Sequence, residues 1–132
     1  MRISTKTYYG LRALINLVNR DEVSAIADIA YDESIPTAYL EKIFQQLKKA
    51  GILDSKRGSM GGYYFKLQPD KVTVKDVFEA LGENHFDLVC LANGDQACPR
   101  QQQCVAQNVW KRLEQSIGLT LDAVTLKEIA SH

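Results

Sequence analysis

PTAYLEKIFQQLKKAG (residues 36–51), running straight into ILDSKRGSMGGYYFKL (residues 52–67), is the stretch whose reading decides the fold. Pro36 presets a φ suited to a helix start. Tyr39, Leu40, Ile43, Phe44 and Leu47 then recur at three- and four-residue steps, which predicts an amphipathic helix that stops at Gly51. Lys48 and Lys49 fall in its last turn, where cations complement the helix dipole. Ile52 and Leu53 read as a short strand, DSKRGSMGG as a turn, and YYFKL as a returning strand rich in β-favouring aromatics. The helix is therefore followed by a β-hairpin. Gly58, Gly61 and Gly62 free its backbone for positive φ and close approach. Lys56 and Arg57 place two cations at its tip, which suits a phosphate backbone or a minor groove. A structural turn explains the glycines but not the cations.

Upstream, Ser4 or Thr5 caps a first helix carrying Tyr8, Leu11, Leu14, Ile15 and Val18 on one face and ending near Asn19. Ser24 is the expected cap of a second, short helix, AIADIAY, interrupted at Asp32, Glu33 and Ser34. A short helix, a three-residue connection and an amphipathic helix make a helix-turn-helix, whose second helix lies in a major groove. The hairpin is then its wing. Downstream, Thr73 and Asp76 open a fourth helix as a capping box, with Val77, Phe78 and Leu81 inward and Gly82 at its end. After a cysteine-bearing segment, Val105, Ala106, Val109, Trp110, Leu113 and Ile117 share one face of a fifth helix, and Thr125 with Glu128 opens a last short one. The expected fold class is mainly α with a small β-hairpin wing. It comprises a winged helix-turn-helix domain (1–82), a cysteine-containing sensor loop (83–104), and a dimerisation helix with a C-terminal helix (105–132). Dimerisation is assigned to the Trp110 helix because one small reading head contacts few base pairs, whereas two copies read two half-sites about 34 Å apart. The alternative is that this helix simply packs on its own winged domain.

The 132 residues are 45% hydrophobic and 24% charged with only three prolines, which excludes a disordered or low-complexity chain. No apolar run approaches the roughly 18 residues of a membrane span, and MRISTKTYYG lacks the apolar stretch of a secretion signal, so the expected location is the cytoplasm, with no membrane partner. The net charge is zero, but residues 1–66 carry +3 and residues 67–132 carry −3. Lys42, Lys48, Lys49, Lys56, Arg57 and Lys66 stand against Asp54 alone, a local excess of +5. Taken by itself, that excess is better read as a solvated helix face followed by a polar turn.

Cys90, Cys98 and Cys104 fall within fifteen residues, and an odd count without a secretion signal argues against a disulfide framework. The readings are a soft metal site, a structural zinc site, or three inert thiols. With only His85 and His132 as histidines, no base partner for a cysteine nucleophile is visible, so neither an enzyme nor a small-molecule substrate is expected.

The opening MRISTKTYYGLRAL, PTAYLEKIFQQLKKAGIL, the wing RGSMGGYYF, and the three cysteines followed by W110-x2-L113 and TLKEIA together resemble the Rrf-type regulators. That family includes the iron–sulfur regulator IscR, nitric-oxide-responsive NsrR, iron-responsive RirA and the cysteine-metabolism regulator CymR. The resemblance runs from Met1 to about Ala130. It implies a homodimeric transcription factor on double-stranded DNA, with Pro36 to Lys49 as recognition helix and Val105 to Ile117 as dimerisation helix. Glu41 resembles the family's acidic specificity residue, which accepts from a cytosine amino group or repels the wrong base. Thr37, Ala38 and Tyr39 lie at the helix start, and Lys42, Lys56, Arg57 and Ser59 complete the implied DNA-contacting set. Pro36 stands where IscR often has Ser.

The resemblance also implies that Cys90, Cys98 and Cys104 are ligands of an iron–sulfur cluster, of two or four irons, sensing iron, redox state or nitric oxide. Their Cys-x7-Cys-x5-Cys spacing looks more like NsrR or RirA than IscR. The fourth ligand is unassigned. Gln107 stands where IscR has a histidine and Tyr8 where NsrR-like proteins use an aspartate, which leaves His85, Asp87 and Asp95 as protein candidates, or a small thiol or water. The alternative within the family is a metal-free regulator like CymR, controlled by a partner protein or by thiol oxidation.

Overall fold

The computed structural model describes residues 2–83, 91, 94 and 97–131. Helix α1 spans Thr5–Arg20, opened by Ser4, whose Oγ accepts from the Thr7 N–H at 3.3 Å, and closed by Asp21 at φ 52°. It buries Thr7, Gly10, Ala13, Leu14 and Leu17 along one stripe. Helix α2 spans Ile26–Glu33 and ends on Ser34 at φ 55°. The expected Ser24 cap is corrected: Ala25 is the N-cap and offers no side-chain bond. Ser24 is instead extended backbone, and its hydroxyl donates to the Glu22 carbonyl at 3.0 Å.

Helix α3 spans Thr37–Lys49 with Pro36 at its N-cap, and it buries Leu40, Ile43, Phe44 and Leu47. Tyr39, expected in that buried stripe, is 37% exposed because it lies about a quarter turn from the stripe's centre, where its ring meets Tyr9 of α1 edge-on at 5.8 Å between centroids. Strands β1 (Leu53–Lys56) and β2 (Gly62–Phe65) pair antiparallel, with Leu53 opposite Phe65 and Lys56 opposite Gly62. Ser24 adds a third rung outside β2 by pairing with Tyr63. Gly62, at φ 153°, makes that approach possible: a Cβ there would lie 2.2 Å from the Ser24 carbonyl oxygen.

A 3-10 turn (Pro69–Lys71) leads to α4 (Val74–Ala80), where the Thr73–Asp76 capping box forms in both directions, at 3.1 and 3.0 Å. Helix α5 spans Gln107–Asp122, so it starts two residues later and ends five residues beyond the expected Val105–Ile117. Gly118 weakens the helix without ending it, and Ala123 is the C-cap. Helix α6 (Leu126–Ala130) is capped by Thr125. The chain around it is stitched back by Val74 N–H to Val124 carbonyl and Leu126 N–H to Val72 carbonyl, both at 2.9 Å. Leu126 is thereby buried in one core with Leu14, Leu17, Ile29, Leu40, Phe44, Leu53, Val77 and Leu81. By contrast, α5 touches α4 but buries none of its own residues.

Candidate nucleic-acid interface and sensor segment

The α3 sequence alternates so that burying Leu40, Ile43, Phe44 and Leu47 forces Ala38, Glu41, Lys42, Gln45 and Lys49 to the opposite, exposed side. Thr37, Ala38, Tyr39, Glu41, Lys42, Lys56, Arg57 and Ser59 are all exposed, five of them on α3 and three at the wing. The wing turn is closed by the Gly61 N–H donating to the Gly58 carbonyl at 3.0 Å. Two side-chain contacts make α3 and the hairpin one body: Lys48 Nζ donates to Ser55 Oγ at 2.6 Å, and the Phe44 and Tyr63 rings pack edge to face at 5.3 Å. The Tyr63 pKa is raised above its ordinary value of 10.0, first by burial and then by the Glu41 carboxylate, so its hydroxyl stays neutral beside the recognition helix.

Charge pairing separates two surfaces. Arg12 pairs with Glu33 at 3.4 Å and Arg20 with Asp32, both between α1 and α2, with Asn16 hydrogen-bonded to Glu33 between them. No ion pair falls within residues 36–66. Lys42, Lys49, Lys56, Arg57 and Lys66 therefore stand as exposed cations without an acidic partner among the described residues. That surface also carries Glu41, but its cations outnumber its acids, which suits a phosphate-facing surface.

Of the three cysteines, Cys98 is partly buried and Cys104 exposed, and both are free thiols. They sit on successive turns, in which Gln101 N–H donates to the Cys98 carbonyl at 3.0 Å and Gln107 N–H to the Cys104 carbonyl at 3.2 Å. Cys90, His85, Asp87 and Asp95 lie outside the described residues. Among the described residues no three His, Cys, Asp or Glu side chains form a metal-sized group. Two accessible thiols on a turn-rich segment have the donor chemistry of a soft-metal site. Tyr8 is exposed at the start of α1, and Gln107 is the first residue of α5.

Sequence reasoning passed over four features. Gln45 lies on the exposed side of α3, and helical spacing from Glu41 carries that signal. Lys48 is held by Ser55, so it belongs partly to the scaffold. The Ser24–Tyr63 pair and the hydrogen bond from the Ser4 N–H to Glu83 Oε1, 2.6 Å, join residues far apart in the chain and leave no local signal.

A helix-turn-helix followed by a rigid two-stranded wing, with unpaired cations across both, defines a DNA-binding transcriptional regulator. Comparison with known proteins places it more narrowly. Residues 3–132 match the Rrf2 family, described as an iron-dependent transcriptional regulator, and the chain belongs to that family. It is 30% identical over 131 residues to the regulator IscR of Aliivibrio salmonicida, covering 98% of this chain and 77% of that one. It is also 30% identical over 134 residues to the regulator CymR of Bacillus subtilis, covering 100% and 91%. The solved structure of the B. subtilis CymR superposes with a TM-score of 0.80 at 28% identity, over 99% of this chain and 97% of that one. The T. potens IscR structure gives 0.79 at 27% identity, over 99% and 87%. These relatives are transcriptional regulators, not enzymes. No described helix is long and apolar enough to cross a membrane.

Proposed function

We propose that the chain is a homodimeric, cytoplasmic regulator that inserts α3 into the major groove and braces it with the wing, and that an iron–sulfur cluster on Cys90, Cys98 and Cys104 sets its DNA affinity. The observation that carries the DNA reading is the set of unpaired cations on α3 and the wing, against fully paired arginines on α1. In this reading Lys42, Lys56, Arg57 and Ser59 hold phosphates, while Thr37, Ala38, Tyr39 and Glu41 face base edges. Residues 1–82 form the reading head, 83–104 the sensor segment and 105–132 the dimerisation part, with Leu126 returning to the head's core. The dimer reading rests on α5 and the turn before it: Val105 is 85%, Val109 58% and Leu119 74% exposed. Burying each such side chain against a second copy gains about 1.5–3 kcal/mol.

Bound iron would supply redox-sensitive thiolate bonds whose loss or change favours one arrangement of the sensor segment over another. Two free thiols and the IscR-named relatives support the cluster. The similarity to CymR supports the second reading, a metal-free regulator worked through a partner protein or cysteine oxidation.

Two measurements test these readings. In gel shifts, Arg57→Ala lowers affinity for all sequences and reduces the salt slope by about one, whereas Glu41→Ala mainly relaxes selectivity. Unchanged binding by both variants rejects the interface. Anaerobic purification with iron, sulfide and zinc counts separates the cluster, zinc and metal-free readings. A full-strength iron–sulfur absorption band in Cys98→Ala rejects that ligand.

A further inference from the structure

Each residue of an α-helix turns about 100°. On α3 the buried residues Leu40, Ile43, Phe44 and Leu47 centre on the Leu40–Leu47 line, and the point diametrically opposite falls between Ala38 and Lys49. Gln45 lies within the exposed face about 30° to one side of that midline, and Lys42 about as far to the other. Glu41 lies one turn before Gln45, and Lys42 and Lys49 flank it. Its side-chain amide makes no hydrogen bond with the described residues, although Lys48 and Glu41, its neighbours along the helix, are both engaged with the wing through Ser55 and the field at Tyr63. Of the exposed side chains within about 30° of this midline, Ala38 has nothing to donate or accept, and Lys42 and Lys49 only donate. Gln45 alone offers a donor and an acceptor side by side. That pair matches the N6 donor and N7 acceptor that adenine presents in the major groove.

From this placement we infer that Gln45 reads an adenine, about two base pairs from the base that Glu41 reads. The spacing follows from geometry, since four helical residues rise about 6 Å and successive base pairs are about 3.4 Å apart. The inference rests on α3 lying in the major groove as proposed above. It adds an adenine to the cytosine chemistry of Glu41, so each half-site carries both at a set separation. The flanking lysines fix the helix on phosphates and leave Gln45 to discriminate.

The test is selection of bound duplexes from a randomised DNA library by the full-length chain and by Glu41→Ala, Gln45→Ala and Gln45→Glu, followed by affinities at fixed salt. Gln45 is exposed and alanine favours helix, so the variants fold, and circular dichroism confirms it. The wild type enriches adenine at one position per half-site, about two base pairs from the position that Glu41→Ala relaxes. Gln45→Ala loses about 10- to 100-fold discrimination at that adenine, with non-specific affinity and salt slope unchanged. Gln45→Glu shifts the preference there towards cytosine, because a carboxylate only accepts. Identical profiles for the wild type and Gln45→Ala overturn the inference, as does an equal loss on every sequence. A wild type with no sequence preference instead overturns the groove reading beneath it.

Discussion

Ser24 and Tyr63 exchange both backbone hydrogen bonds, Ser24 N–H to the Tyr63 carbonyl at 3.0 Å and Tyr63 N–H to the Ser24 carbonyl at 2.8 Å. This pair turns a two-stranded hairpin into a small sheet rooted in the helix-turn-helix. Short hairpins are marginal alone, so the wing holds its angle to α3 because Ser24 and Phe44 clamp Tyr63 from two sides.

Gly62→Ala tests that clamp. The added Cβ meets the Ser24 carbonyl oxygen and carbon at 2.2 and 2.4 Å, both backbone, at a φ that alanine rarely adopts. The expected loss is about 3 kcal/mol, read as a lower urea midpoint, together with weaker DNA binding as the wing detaches. An unchanged midpoint shows that the third rung contributes nothing.

Glu83 holds the other end of the reading head. Helix α1 has no acidic residue in its first turn, and the Glu83 carboxylate accepts from the Ser4 N–H there, supplying negative charge where the dipole favours it. Glu83→Ala is expected to cost about 1–2 kcal/mol in urea unfolding, and Glu83→Gln about half of that. Equal losses for the two variants point to the charge alone, because the glutamine oxygen can still accept the Ser4 bond.

Val109 reports on dimerisation. Its side chain is mostly exposed in the protomer, so Val109→Asp leaves the secondary structure intact while placing a charge on the proposed subunit interface. Light scattering is expected to show a dimer for the wild type and a monomer for the variant, with specific DNA affinity falling at least tenfold as one half-site is lost. A variant that stays dimeric removes α5 from the interface.

Tyr63 gives the molecule an alkaline limit. Its folded pKa lies above the ordinary value, so the folded chain keeps the phenolic proton that the unfolded chain releases near pH 10. The associated stability is fully present below that pH and is lost as pH rises through the folded pKa. Thermal melts of Tyr63→Phe are expected to fall less steeply than those of the wild type above about pH 10. Parallel curves assign the alkaline loss to other groups.

Periodicity in residues 36–51 and 73–82, the hairpin composition of 52–67 and the Thr73–Asp76 box are local signals, and each element they predict is present. They were legible because helix faces, caps and turns are set by residues three or four apart. The same proximity explains why Lys56 and Arg57 could be singled out from the sequence and why Gln45 was within reach of it, whereas Glu41 was singled out through the family resemblance. Ser24 misled because a serine before an apolar run has the composition of a cap, and only the strand beside it draws its backbone elsewhere. Which cations stay unpaired was likewise hidden, since Arg12 and Arg20 look no different in sequence from Arg57 until α2 brings Glu33 and Asp32 against them. The sequence by itself determined the elements and the exposed face of the recognition helix. Tertiary structure decided how the wing is anchored, where the last helix returns, and which charges are free, because those depend on contacts between residues tens of positions apart, whose entropy cost of meeting no local pattern records.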